Sequence, residues 1–163
     1  MKVSSKYILR VGEKMRKTIG YKQSLHYQNV ISRYYVTTSE EMGRCLEDAL
    51  ETIFEADYSL SDSFFYSMNS DIREEELLIQ VFLPVNEECQ ENLPAEYRFQ
   101  SYFQVNNMLA TRAKGDKLSE FSKALEELIT IVVQEDLTIV SPIFYCPQVI
   151  DNKVYTDLMI GIK

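Results

Sequence analysis

Asp157 is the carboxylate that stands out. It lies in Tyr155-Thr156-Asp157-Leu158-Met159-Ile160, where a carboxylate buried among apolar neighbours must find a partner or keep its proton to higher pH. The plainer alternative is a strand residue that faces solvent or caps a turn. Aromatic residues come next. Phe65-Tyr66 and Phe144-Tyr145 stand in similar surroundings, and Tyr35 and Tyr102 lie in two further extended stretches. Successive strand side chains point to opposite faces, so one ring of each pair is expected to face a cleft and the other a helix layer. Rings in such stripes also simply fill cores.

Little else in the chain suits catalysis. His26 has no nearby cysteine or acidic set and is not expected to bind metal. The chain has no glycine-rich phosphate loop, no Gly-x-Ser-x-Gly elbow and no Cys-x-x-Cys pair. Glu74-Glu75-Glu76 opens a strand and reads as a solvated run. Cys45, Cys89 and Cys146 are odd in number and far apart, which suits reduced thiols acting as small buried hydrophobes. The chemistry on offer is binding, through rings and one charge, with no cofactor implied.

These residues recur because the chain is written twice. The stretches from Asn29 to Val85 and from Asn107 to Ile162 each run through an extended segment, an amphipathic helix, an aromatic strand and an apolar strand. Ala49-Leu50-Glu51 echoes Ala124-Leu125-Glu126, and Val81-Phe82-Leu83-Pro84-Val85 echoes Leu158-Met159-Ile160-Gly161-Ile162. A unit of this size buries its apolar face poorly alone, so two copies are expected to pack about a pseudo-twofold and leave a central cleft. The first copy predicts a strand over Tyr27 to Thr37, a helix from about Ser39 to Ala56 with Thr38 and Glu41 as a capping box, and strands at Ser63 to Met68 and Glu76 to Val85. The second predicts extended chain over Arg98 to Lys114, a helix capped by Asp116, strands over Leu137 to Val140, Pro142 to Cys146 and Val154 to Ile162, and a turn at Asp151-Asn152-Lys153. The acidic segment Asn86 to Glu96 reads as the linker. The expected fold class is α+β: duplicated strand-helix-strand-strand units forming antiparallel sheet, with two main helices. The expected domains are a basic extension over 1–23 and one domain over 24–163, built of repeats 24–88 and 95–163.

Charge separates the extension from the rest. Of 163 residues with net charge −8, the first 23 carry seven cations against Glu13 alone, a balance of +6 that leaves −14 on the remainder. A body so acidic repels phosphate backbones, so nucleic acid is not an expected partner of it. The extension, with Ile8, Val11, Met15 and Ile19 near one helical face, fits an arm that docks on the domain, on a partner or on an anionic surface, and is the one part of the chain suited to touch nucleic acid, though lying on its own acidic domain is the plainer expectation. It is too short for a helix-turn-helix unit. No apolar run nears the ~18 residues of a membrane span and no secretory leader is evident, so a soluble, cytoplasmic protein is expected.

The doubled pattern, with copies ending in Val-Phe-Leu-Pro-Val and Met-Ile-Gly-Ile, resembles the GyrI-like small-molecule-binding family, which includes effector-binding domains of bacterial multidrug-sensing regulators. It is also similar to an uncharacterised Gram-positive branch of that family. The resemblance covers about Tyr27 to the C-terminus. It implies an apolar, aromatic cleft between the repeats with one acidic group inside, which offers a lipophilic cation π-faces and a carboxylate in exchange for lost hydration. The glutamate typical of the family ahead of the second aromatic tyrosine is absent from Pro142-Ile143-Phe144-Tyr145. An acidic position common in the last strand matches Asp157, whose first-copy counterpart is Gln80. Some relatives are hydrolases. The expected function is non-enzymatic binding of a small apolar or amphipathic ligand through Tyr35, Phe65, Tyr66, Tyr102, Phe144, Tyr145 and Asp157. The alternative is an interaction module whose acidic surface engages a basic protein such as a toxin or an enzyme.

Overall fold

A computed structural model describes residues 19–71, 74–88 and 91–163. Most of the basic extension, and Cys89, therefore lie outside the described residues. Eight elements follow in order: β1 (Gly20–Thr37), α1 (Met42–Glu55), β2 (Phe65–Met68), β3 (Leu77–Pro84), β4 (Arg98–Lys114), α2 (Leu118–Gln134), β5 (Ile139–Ile150) and β6 (Lys153–Ile162). The class is α+β, with antiparallel pairing as expected. The chain divides into two compact units, Leu25–Gln104 and Val105–Lys163, the latter with the described residues Ile19–Ser24. The division thus falls inside the long strands. The acidic segment predicted as linker is tied to the first unit, where Glu87 accepts hydrogen bonds from the Ser59 amide and hydroxyl, both at 2.9 Å.

In the first unit β3 lies between β1 and β2, with Tyr35 opposite Ile79, Ser32 opposite Phe82, and Phe65 opposite Phe82 from the other side. In the second, β6 lies between β4 and β5, with Arg112 and Cys146 both opposite Asp157. β3 and β6 each lie between two partner strands, which explains their near-continuous apolar runs: Val81 to Pro84 and Leu158 to Ile162 are all buried.

Both helices bury one stripe, Met42, Ala49 and Ile53 in α1 and Phe121, Ala124, Leu128, Ile131 and Val132 in α2. The Thr38 hydroxyl accepts the Glu41 amide at 3.2 Å, half of the predicted capping box. The helix starts after that turn, with no side-chain cap at its own N-terminus. Asp116 does not cap α2. Lys117 holds the N-cap position in extended backbone, and its carbonyl accepts the Glu120 and Phe121 amides, each at 3.1 Å.

The helices stop by one device. Asp57 (φ 70°) and Asp136 (φ 53°) take the left-handed conformation, and the next amides, of Tyr58 and Leu137, reach back to Ile53 and Val132 carbonyls, both at 2.9 Å. This is the Schellman arrangement, with aspartate where glycine is commonest. Left-handed asparagines also sit at matching places in the long strands, Asn29 (φ 58°) and Asn107 (φ 56°). The two stretches predicted after α2 join as one strand, β5, with a register shift between Ile139 and Ile143. Asp151 (φ 53°) and Asn152 (φ 65°) make the two-residue hairpin turn, and Lys153 already pairs with Ile150.

Candidate functional site

Strand alternation sorts the predicted residues onto two kinds of face. On the first unit, Tyr35 donates to the Asp48 carboxylate of α1 at 2.8 Å and lies 3.3 Å, hydroxyl to hydroxyl, from Tyr97. The Arg33 guanidinium stacks 4.4 Å over the Tyr35 ring and stands 4.0 Å from Asp48. Burial, then the Tyr97 and Asp48 contacts, push the Tyr35 phenol above its ordinary range. This is the helix side of the sheet. Tyr66, opposite Val81 in register, shares it.

Phe65 points the other way, into a cluster of rings. Its ring stacks on Phe82 at 4.8 Å and on Tyr27 at 5.0 Å, and Phe103 tilts against Phe65 at 5.5 Å and Phe82 at 5.0 Å. Phe65 and Phe82 are buried, Tyr27 and Phe103 half-buried. Tyr27, Phe82 and Phe103 were not among the predicted site residues. The signal for Phe82 was present, because a strand reading that pairs the two apolar segments puts it across from Phe65. Tyr102 lies 50% exposed, edge-on to His26 at 5.0 Å, and donates to Gln104. Its neighbour on β4, Phe103, carries the contacts to Phe65 and Phe82, so alternation turns Tyr102 away from the ring cluster.

The second unit repeats the sorting. Tyr145 packs against Phe121 of α2 at 5.3 Å, and the Thr111 hydroxyl reaches Glu127 of the same helix at 3.3 Å. Phe144, opposite Met159, lies on the non-helical face with Cys146 and Asp157. Asp157 has the partner that its apolar setting demands. Arg112 Nε donates to its Oδ1 at 2.7 Å and Nη2 to its Oδ2 at 3.1 Å, and Gln148 Nε2 donates to Oδ2 at 2.8 Å. The Asp157 side chain is 17% exposed and that of Arg112 47%. The Arg112 guanidinium also stands 5.6 Å from the Tyr155 ring centroid. The hydrogen-bonded carboxylate holds the Arg112 cation more firmly protonated than usual. Burial, with the Asp157 charge nearby, pushes the Cys146 thiol up to about 12. At the place of Asp157, the first unit has Gln80, whose Nε2 donates to Ser32 Oγ at 3.4 Å.

The arrangement offers π-faces, sulfur and amide groups, and one internally compensated ion pair. Among the described residues no group of three or more His, Cys, Asp or Glu side chains is placed to hold a metal ion. None of the helices described is long and apolar enough to cross a membrane.

Two strand-helix-strand-strand units, each with a ring-bearing face away from its helix, define a class of α+β domain already seen in solved structures. The C-terminal domain of EcmrR superposes with TM-score 0.73 at 10% identity, covering 91% of this chain and 99% of that one. In an EcmrR–DNA complex the match spans 99% of this chain and 62% of that one, with TM-score 0.77 and 11% identity. SAV2435 bound to tetraphenylphosphonium matches with TM-score 0.55 and 10% identity over 91% and 94% of the two chains. A hydrolase from Listeria innocua matches with TM-score 0.56 and 13% identity over 99% and 97%. These likenesses support the GyrI-like fold that the sequence pattern implied. Over residues 26–162 the chain matches the family described as a domain of unknown function, DUF5085, and it belongs to that family. No curated protein matches it.

Proposed function

We propose that this chain is a non-enzymatic binding domain that takes a small apolar or amphipathic molecule against the non-helical, ring-bearing faces of its two units. The doubled sequence leads us to assign the ligand to a cleft between the repeats, and the matching left-handed residues and strand order support descent from one duplicated unit. The observation that carries the reading is the cluster of Tyr27, Phe65, Phe82 and Phe103, in which two half-buried rings lie over two buried ones. Such rings give an apolar guest large contact area with little entropy to lose. That SAV2435, of similar fold, was solved bound to tetraphenylphosphonium supports the same use of the fold here. Phe65, Phe144 and Asp157 stay in the proposed site, and Tyr102, turned away from the cluster beside Phe103, leaves it. Tyr35, Tyr66 and Tyr145 are assigned to holding the helices.

Thermal melting with a panel of neutral aromatics and lipophilic cations tests this, since a molecule that binds only the folded state must raise the melting temperature. A panel that leaves it unmoved to solubility-limited concentration sinks the proposal. A second reading, docking of a basic protein, has its own support: Glu47, Asp48, Glu51 and Glu55 of α1 are all exposed, with half-exposed Phe54 among them. Capture of a basic partner that weakens as salt is raised favours that reading instead.

A further inference from the structure

We infer that the molecule bound on these faces is uncharged, and that the Arg112–Asp157 pair excludes lipophilic cations by occupying the carboxylate a cation would need. The inference rests on the small-ligand function proposed above. A cation leaving water loses a large hydration energy and must recover it from an uncompensated negative charge or several π-faces. On the non-helical face of the second unit, Asp157 is the carboxylate that the paired strands supply. Both its oxygens are engaged by one guanidinium, at 2.7 and 3.1 Å, and the Gln148 amide adds a third donor. A bidentate guanidinium–carboxylate contact is among the stronger polar contacts in proteins, so an incoming cation has to displace Arg112 or share Asp157 with it. The other charged side chains on that face, Lys114 and Lys153, are exposed at strand ends and repel cations further. On the first unit, the equivalent position is Gln80, and the paired strands put no charged group on the non-helical face. Each face offers rings and amides, and the charge on the second is neutralised within its pair, which suits a neutral aromatic with a hydrogen-bonding group.

Calorimetric titration of the full chain with tetraphenylphosphonium and with triphenylphosphine oxide, a cation and a neutral molecule of related shape, tests this. The wild-type protein is expected to bind the oxide at least as tightly as the phosphonium. Arg112→Gln, which leaves Asp157 uncompensated, is expected to tighten phosphonium binding by about tenfold or more and to change oxide binding by less than about threefold. Arg112→Gln with Asp157→Asn is expected to return phosphonium affinity to the wild-type level, which separates the freed carboxylate from a general loosening of the fold. Wild-type preference for phosphonium, or a phosphonium affinity indifferent to both variants, overturns the inference while leaving small-ligand binding intact. If neither probe binds any of the proteins, the proposed function falls and this inference with it.

Discussion

Replacing Phe65 by leucine removes a ring that packs against those of Phe82, Tyr27 and Phe103, at 4.8, 5.0 and 5.5 Å. Each aromatic pair contributes about 0.5–1.5 kcal/mol beyond the area it buries, so these three pairs, if additive, come to about 1.5–4.5 kcal/mol. Leucine keeps most of the apolar area and some of the contacts, and the pairs share atoms, which brings the expected cost to about 1.5–3 kcal/mol. Phe82→Leu loses its parallel stack on Phe65 and its tilted contact with Phe103, and is expected to cost about 1–2 kcal/mol. Urea unfolding followed by far-ultraviolet circular dichroism gives the stability of each single variant and of the double one. The two substitutions should couple by about 0.5–1.5 kcal/mol, because the double variant loses the shared stack only once. Strict additivity, within about 0.3 kcal/mol, refutes the claim that these rings form one cluster.

Four further outcomes are expected. Gly161→Ala should destabilise by about 1–3 kcal/mol in thermal melts, because the new Cβ meets Ser141 Oγ at 3.0 Å and its Cβ at 3.1 Å, where the Gly161 amide now donates to that hydroxyl at 2.7 Å. Asp57→Gly and Asp136→Gly should each stabilise by about 0.5 kcal/mol, since glycine takes the left-handed helix end without the Cβ penalty, and a loss of stability counts against the termini described. Cys146, with its folded-state thiol raised to about 12, should resist alkylation at pH 8 while Cys45 reacts. The same shift carries a sign: the folded state holds the Cys146 proton more tightly than the unfolded chain. Its share of stability is therefore full below the ordinary thiol range and is lost as pH rises toward 12, a loss that Cys146→Ala should abolish.

The parts legible in the sequence are those set by short-range pattern. The 3.6-residue stripes placed α1 and α2, and the apolar runs around Val81 and Leu158 placed the central strands, because a strand covered on both faces needs apolar residues throughout. Helix ends were less legible. Asp116 has the right chemistry for a cap, but the extended backbone falls at Lys117, a residue with no oxygen to offer. The gap between Val140 and Pro142 looks like a break in the sequence, whereas a register shift lets one strand run through it. Long-range pairing was illegible. Asp157 was visible as a carboxylate in need of a partner, yet that partner is Arg112, 45 residues upstream, and only the β4–β6 register brings them together. Tyr35 likewise looked like a cleft residue by its type, and the alternation that turns it toward Asp48 depends on where β1 pairs.

The most direct test is an amide-resolved nuclear magnetic resonance titration of the full chain with triphenylphosphine oxide. Saturable shifts are expected at residues around Phe65, Phe82, Phe103 and Phe144, with the exposed acidic face of α1 unmoved. Shifts confined to α1, or none at any concentration, contradict the account.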